Sequence, residues 1–188
     1  MSNQVVFLKG KKTILRPAHR SDAPLLTQWI NDPEVRQYLA SIYPQTEEDE
    51  IGWIDGLSKK KPRELIFVIT LHDGTPIGVM GVHNINGVHG TATTGALIGD
   101  KQYWGQGYGS DAKMVLLEYA FNTLNVRKLY SDVIAFNERS VAYSLKCGYV
   151  EEARLKEHLF RFGKYWDQVI LSVTRERFLP VWQKYQGE

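Results

Sequence analysis

Trp104-Gly105-Gln106-Gly107-Tyr108-Gly109-Ser110 is the stretch from which the rest of the chain is read. Its three alternating glycines let the backbone turn tightly and bring N–H groups close to a ligand. Ala112, Val115, Leu116, Tyr119 and Ala120 then recur at helical spacing, so the loop runs into a helix N-terminus. Convergent backbone donors and the positive end of a helix dipole make an anion site suited to a pyrophosphate. A P-loop would close on Gly-Lys-Ser/Thr, whereas Gly109-Ser110-Asp111 carries no lysine. A dinucleotide fingerprint needs a third glycine where Ser110 stands, in the first βα turn of a parallel sheet. Neither fits.

Upstream of the loop, Leu65 to Leu71, Ile77 to Val82 and about Thr91 to Ile98 read as three strands. The tight turns His72-Asp73-Gly74-Thr75 and Asn86-Gly87 join them into an antiparallel meander. Before them come a short strand, Thr13 to Arg16, and two helices. Asp22 caps the first, with Pro24 in its first turn and Leu25, Leu26, Trp29 and Ile30 on its apolar face, and Asn31-Asp32-Pro33 stops it. Thr46 opens the second, where Glu47 to Glu50 suit the helix dipole and Ile51, Ile54 and Leu57 form the buried stripe. Downstream come a strand from Lys128 to Ala135, a helix from Glu138 to Cys147 closed by Gly148, and strands Val150 to Phe162 and Tyr165 to Val173. A strand–helix–strand unit in the middle requires one parallel pair in an otherwise antiparallel sheet. The fold predicted is α+β: a mixed, mostly antiparallel sheet of six or seven strands, helices on both faces, and a central parallel strand pair.

With 188 residues, 43% apolar and 23% charged, the chain reads as one soluble domain spanning 1–188. The lone Cys147 has no disulfide partner and suits a core position. The amino-terminal MSNQVVFLKGKK places its apolar patch before its lysines, the reverse of a signal peptide, and no stretch approaches a membrane span. A cytoplasmic protein is expected. A net charge of +2 gives no basic stripe for nucleic acid. Lys9/Lys11/Lys12 and Lys59/Lys60/Lys61 read as solvated loops, one of which can also attract a phosphate.

In these features the sequence resembles the GNAT acetyltransferases, and within them the RimJ/RimL-like branch. The resemblance runs from Leu15-Arg16-Pro17 and Asp22 through Trp29 to Val35, Ile77-Gly78 to Asn84 and Tyr103 to Tyr108. It ends with Asn137 to Ser140 and Gly148 to Glu152. Order and spacing together carry it, since each piece alone is weak. The family loop motif is Gln/Arg-x-x-Gly-x-Gly/Ala. Gly107 and Gly109 match it, and Trp104 stands in place of the leading Gln/Arg.

The resemblance implies acetyl-CoA as cofactor, with its pyrophosphate on Gly105, Gln106, Gly107, Tyr108, Gly109 and Ser110. It implies that Leu97 and Ile98 pair their backbone with the pantetheine arm, and that Asn137 contacts the cofactor while also capping the helix that follows. It places the backbone N–H of Ile98 at the developing oxyanion. Many members use a tyrosine seven positions after the asparagine as the acid; here that position is Ser144, with Tyr143 about 100° away on the helix. Ser144 is the predicted acid.

An amine attacks a thioester only when neutral, yet a lysine-like amine titrates near 10. A base, direct or through water, is needed. The family often places a glutamate on the last strand of the meander, where this chain has Thr93 and Thr94. His83, Glu157, His158 and a water relay are the candidates, and strand alternation puts Glu157 and His158 on opposite faces. The activity expected is transfer of acetyl to a primary amine, foremost a protein N-terminal α-amine. A polyamine or aminoglycoside acceptor is the alternative, and a silent acyl-CoA-binding domain is the alternative of another class. No metal, nucleic acid or membrane is implied, and the protein is expected to be a monomer or a homodimer.

Overall fold

The computed structural model describes residues 5–61 and 63–187. The first four residues of the amino-terminal stretch, and both ends of the predicted 1–188 domain, lie outside them. The described residues form eight strands in the hydrogen-bonded order β1-β2-β3-β4-β5-β6-β8-β7. These are β1 (Leu8–Lys9), β2 (Thr13–Pro17), β3 (Leu65–Leu71), β4 (Pro76–Asn86), β5 (Thr91–Ile98), β6 (Lys128–Ile134), β7 (Val150–Arg161) and β8 (Lys164–Thr174). The sheet is mostly antiparallel, with β5 and β6 as its parallel pair, registered from Thr91↔Lys128 to Thr93↔Tyr130. Six or seven strands were predicted; the eighth is β1, whose two residues are too few to show a period of two.

By their contacts the described residues group into two compact units, and β4 and β5 each contribute to both. The first unit comprises the chain up to Gly81 together with Ala96–Ala112. In it β2 pairs antiparallel with β1 and, from Thr13↔Leu71 to Pro17↔Phe67, with β3. Helices α1 (Ala23–Asn31), α2 (Pro33–Arg36) and α3 (Glu47–Lys60) follow β2. Ala23, Leu26 and Trp29 of α1 pack with Ile54 of α3, and Ile51, Trp53, Val79 and Leu97 close over them. Thr46 and Asp49 form the capping box that starts α3. Gly99 lies under the Trp29 ring, where an added Cβ would come within 2.1 Å of an indole carbon.

Asp22 does not cap α1 with its side chain. Its carboxylate is taken by Arg16, Nη2 to Oδ1 at 2.7 Å and Nη1 to Oδ2 at 2.9 Å, and by the His19 N–H. Two guanidinium N–H groups outcompete the helix's own donors for one short side chain.

The second unit comprises Val82–Gly95 and the chain from Lys113 onward. In it β6 pairs antiparallel with β8 from Lys128↔Thr174 to Ile134↔Gln168, and β7 and β8 form a hairpin. Helix α5 (Glu138–Lys146) is capped by Asn137, whose side chain accepts from the Ser140 N–H. Gly148 at φ +91° turns the chain out of it. Helix α6 (Arg175–Gly187) was not foreseen, although Phe178, Trp182 and Tyr185 recur at spacings of four and three and their rings stack in succession.

Helix α4 (Tyr108–Asn122) begins inside the glycine loop, and the apolar stripe read from it understates its burial. Every residue from Asp111 to Leu117 is buried, Lys113 included. In β7 the predicted alternation fails. The register shifts between Leu155 and Leu159, Glu157 takes φ +48°, and Glu157 and His158 are both exposed. A bulge inserts residues without partners, so side-chain parity is lost across it.

Candidate active site

The glycine loop is held from three directions within the first unit. Gly105 and Gly107 adopt φ of +74° and +85°, conformations that favour glycine. Trp104 Nε1 donates to the Ile98 carbonyl at 2.7 Å, so the residue standing in place of the family's Gln/Arg ties the start of the loop to the end of β5. Lys101, in the 3-10 turn that leads into the loop, pairs with Asp32 and Glu34 of the α1–α2 corner at 2.9 and 2.8 Å. Finally Asp111, in the first turn of α4, accepts from the backbone N–H groups of Lys11, Lys12 and Thr13 and from Thr13 Oγ1.

This last clamp carries Lys12, from one of the two lysine clusters read as solvated loops of which one can attract a phosphate. Fixed by the turn before β2, Lys12 reaches the loop. Its Nζ donates to the Gln106 carbonyl at 3.0 Å, stands 5.7 Å from the Tyr108 ring centroid, and lies 3.7 Å from where a Cβ on Gly107 would be. The signal was the charge of Lys11-Lys12 after Gly10; nothing in one sequence joined it to a loop some ninety residues away. Gly10 is required by the same clamp, since a Cβ there would sit 2.3 Å from Asp111 Oδ2.

Room for a ligand exists beside the loop glycines. A Cβ at Gly105 would meet nothing within 4 Å, and one at Gly109 would meet only the Ile98 side chain at 3.7 Å. Backbone bent to positive φ, open space beside it, a helix N-terminus and a cation at the rim suit the diphosphate of coenzyme A.

Leu97, at the end of β5, packs against the α1/α3 cluster. In α3, Glu50 is buried, its carboxyl pushed above the usual range by desolvation and then by Asp49. No described residue forms an ion pair with it. Of the other acidic groups in these helices, Asp49 is engaged in the cap, Asp32 and Glu34 by Lys101, and Asp55 by Arg20, while Glu47 and Glu48 are exposed.

The remaining predicted residues lie in the second unit. Asn137 performs its capping role. Ser144 on α5 is fully buried, and among the described residues its Oγ is the one buried side-chain polar atom with no hydrogen-bond partner. The ring of its neighbour Tyr143 lies 5.2 Å from Lys113 Nζ, and burial holds the Tyr143 hydroxyl far above the ordinary tyrosine range. His83 on β4 is half-buried, its ring lying over Gly95, where an added Cβ would come within 3.3 Å of Nε2. Glu157 and His158 lie on the exposed β7 bulge, where the Glu157 N–H donates to Asp167.

Residues 12–150 match the family model described as an acetyltransferase (GNAT) domain. The chain belongs to the GNAT acetyltransferase family. The enzyme is 27% identical over 175 residues to p20, an uncharacterised N-acetyltransferase of Bacillus licheniformis, covering 91% of this chain and 97% of that one. It is 26% identical over 165 residues to a spermidine N(1)-acetyltransferase of Vibrio cholerae, covering 88% and 94%. The crystal structure of a Vibrio cholerae spermidine N-acetyltransferase in complex with CoA and spermine superposes with a TM-score of 0.83 at 24% identity, over 89% of this chain and 98% of that one. The fold is the GNAT fold, and the protein is an acetyl-CoA-dependent N-acetyltransferase. No helix among the described residues is long and apolar enough to cross a membrane.

Proposed function

We propose that this enzyme acetylates a polyamine of the spermidine class rather than the protein N-terminal α-amine that the RimJ/RimL-like resemblance favours. Relatives named spermidine N(1)-acetyltransferases match along 88% of the chain, whereas a relative named a putative ribosomal N-acetyltransferase matches along 57% of it, and Glu50 supplies the chemical reason for preferring the first. A polyamine brings a second ammonium at a distance from the reacting one, and burying it requires a carboxylate. Glu50 is a buried carboxylate with no ion-pair partner among the described residues, on the helix that packs against Leu97. An incoming cation would pull its raised pKa down and be held in return.

Acetyl-CoA supplies an acetyl group activated as a thioester. In this reading the N–H groups of Gly105 to Ser110 and the Lys12 ammonium hold its diphosphate, and the backbone of Leu97 and Ile98 aligns its arm. The Ile98 N–H faces the oxygen on which charge develops. Ser144 gives its proton to the departing sulfur and regains one from the amine proton released in the attack. Since a thiol titrates near 8.5, that donation helps without being indispensable. The amine proton leaves through His83 or water, as Glu157 and His158 sit on an exposed bulge.

The test is Glu50→Gln, which keeps size and removes charge. The kcat/KM for spermidine should fall at least tenfold, while that for a monoamine should change less than threefold. An equal effect on both, or none on spermidine, removes Glu50 and the chemical argument for a polyamine.

A further inference from the structure

Lys113, in the second turn of α4, is completely buried. Desolvation dominates its environment, and the described residues bring no carboxylate to it. Its Nζ donates to Thr94 Oγ1 at 2.8 Å and lies 5.2 and 5.1 Å from the ring centroids of Tyr143 and Tyr149. Thr94 Oγ1 in turn donates to the Tyr130 carbonyl at 3.2 Å and stands 2.8 Å from the Tyr149 hydroxyl. A threonine hydroxyl has one proton and two lone pairs. Its proton goes to Tyr130, so Tyr149 and Lys113 are both donors to it, and the hydroxyl is saturated.

The location of this network gives it a purpose. Thr93↔Tyr130 is the last registered step of the parallel pair, and Thr94 is the next residue of β5. The network therefore grips β5 by a side chain and β6 by a carbonyl at the end of their ladder, braced from α4 by Lys113 and from the α5 end by the two tyrosines. A buried cation held by one hydroxyl and two aromatic faces, with no carboxylate, is an expensive brace, and an aliphatic side chain of similar length would be cheaper. None of the roles assigned above uses it.

We propose that Lys113, acting through Thr94, is a positioning residue. It fixes the end of the parallel pair, and with it the geometry of the β5 residues that carry the backbone groups serving the thioester. The inference rests on the reading of Leu97 and Ile98 given above, not on the identity of the acceptor.

The test is to measure steady-state rates with whichever amine the wild type turns over fastest, so that failure of the polyamine reading leaves it intact. Lys113→Met and Thr94→Val should each lower kcat at least tenfold and change the KM for acetyl-CoA less than threefold. Thr94→Ser, which restores the hydroxyl, should recover at least half of the lost rate. Lys113→Met should also melt no lower than wild type, which a merely structural lysine would not allow. If it fails to fold, the Thr94 pair decides alone. Wild-type kcat in Thr94→Val, or no recovery in Thr94→Ser, overturns the proposal.

Discussion

The Lys12 ammonium lies 3.0 Å from the Gln106 carbonyl, and the Asp111 carboxylate holds it there by taking the Lys12 N–H at 3.0 Å. A turn near the amino end and a loop ninety residues later thus share one anion site. Lys12→Met should weaken coenzyme A binding about three- to tenfold and flatten its dependence on salt, because a solvent-facing cation acts mainly through a screened charge. Isothermal titration at two ionic strengths reads both. Unchanged affinity and slope would return Lys12 to the solvated surface. Asp111→Asn should weaken binding as well and lower stability by about 1–3 kcal/mol, since its amide would face N–H groups that need an acceptor.

The loop glycines separate fold from ligand. Gly109 lies in the helix, with only Ile98 near a would-be Cβ, so Gly109→Ala should melt within a degree or two of wild type. It should still bind coenzyme A at least fivefold more weakly if the diphosphate lies where the Cβ would project. Gly107→Ala should lose stability as well, by about 1 kcal/mol, because φ is +85° there. Normal coenzyme A affinity in Gly109→Ala would move the diphosphate elsewhere.

Ser144→Ala should lower kcat about ten- to a thousandfold with little change in the KM for acetyl-CoA. Removing a buried hydroxyl that bonds to nothing should leave stability equal or slightly raised. A stabilised variant with wild-type kcat would take Ser144 out of the mechanism.

Burial lowers the Lys113 pKa from 10.5 to about 8, with the nearby Cys147 opposing the shift. The unfolded chain therefore binds the proton more readily, so the charged lysine destabilises the fold below pH 8 and is relieved as the pH rises. Cys147, pushed up to about 11 by burial, works the other way once the pH passes 9. Between pH 8 and 9 the stability difference between wild type and Lys113→Met should move in favour of wild type by about 1 kcal/mol. Denaturant titrations at the two pH values measure it, and a constant difference would mean that the amine does not titrate there.

Much of the frame was legible in the sequence because its signals are local. Thr46 with Asp49, the glycines before α4 and the turn at Asn86-Gly87 each act within a few residues. What escaped depends on which groups meet once the chain is folded. Asp22 looks like a helix cap until Arg16 claims it. Lys113 falls within a helix reading that names only its apolar neighbours, and its aromatic cage comes from α5 and the residue before β7. The β7 bulge hides in a run whose pattern alone suggested alternation. The acceptor was least legible, because Glu50 reads as one more acidic residue in a first turn until its burial is seen.

The central claim is tested most directly by thiol release from acetyl-CoA on two acceptors, spermidine and a short peptide with a free α-amine and no lysine. The account expects kcat/KM for spermidine to exceed that for the peptide at least tenfold. A peptide preference of the same size would contradict it and restore the N-terminal α-amine as the acceptor.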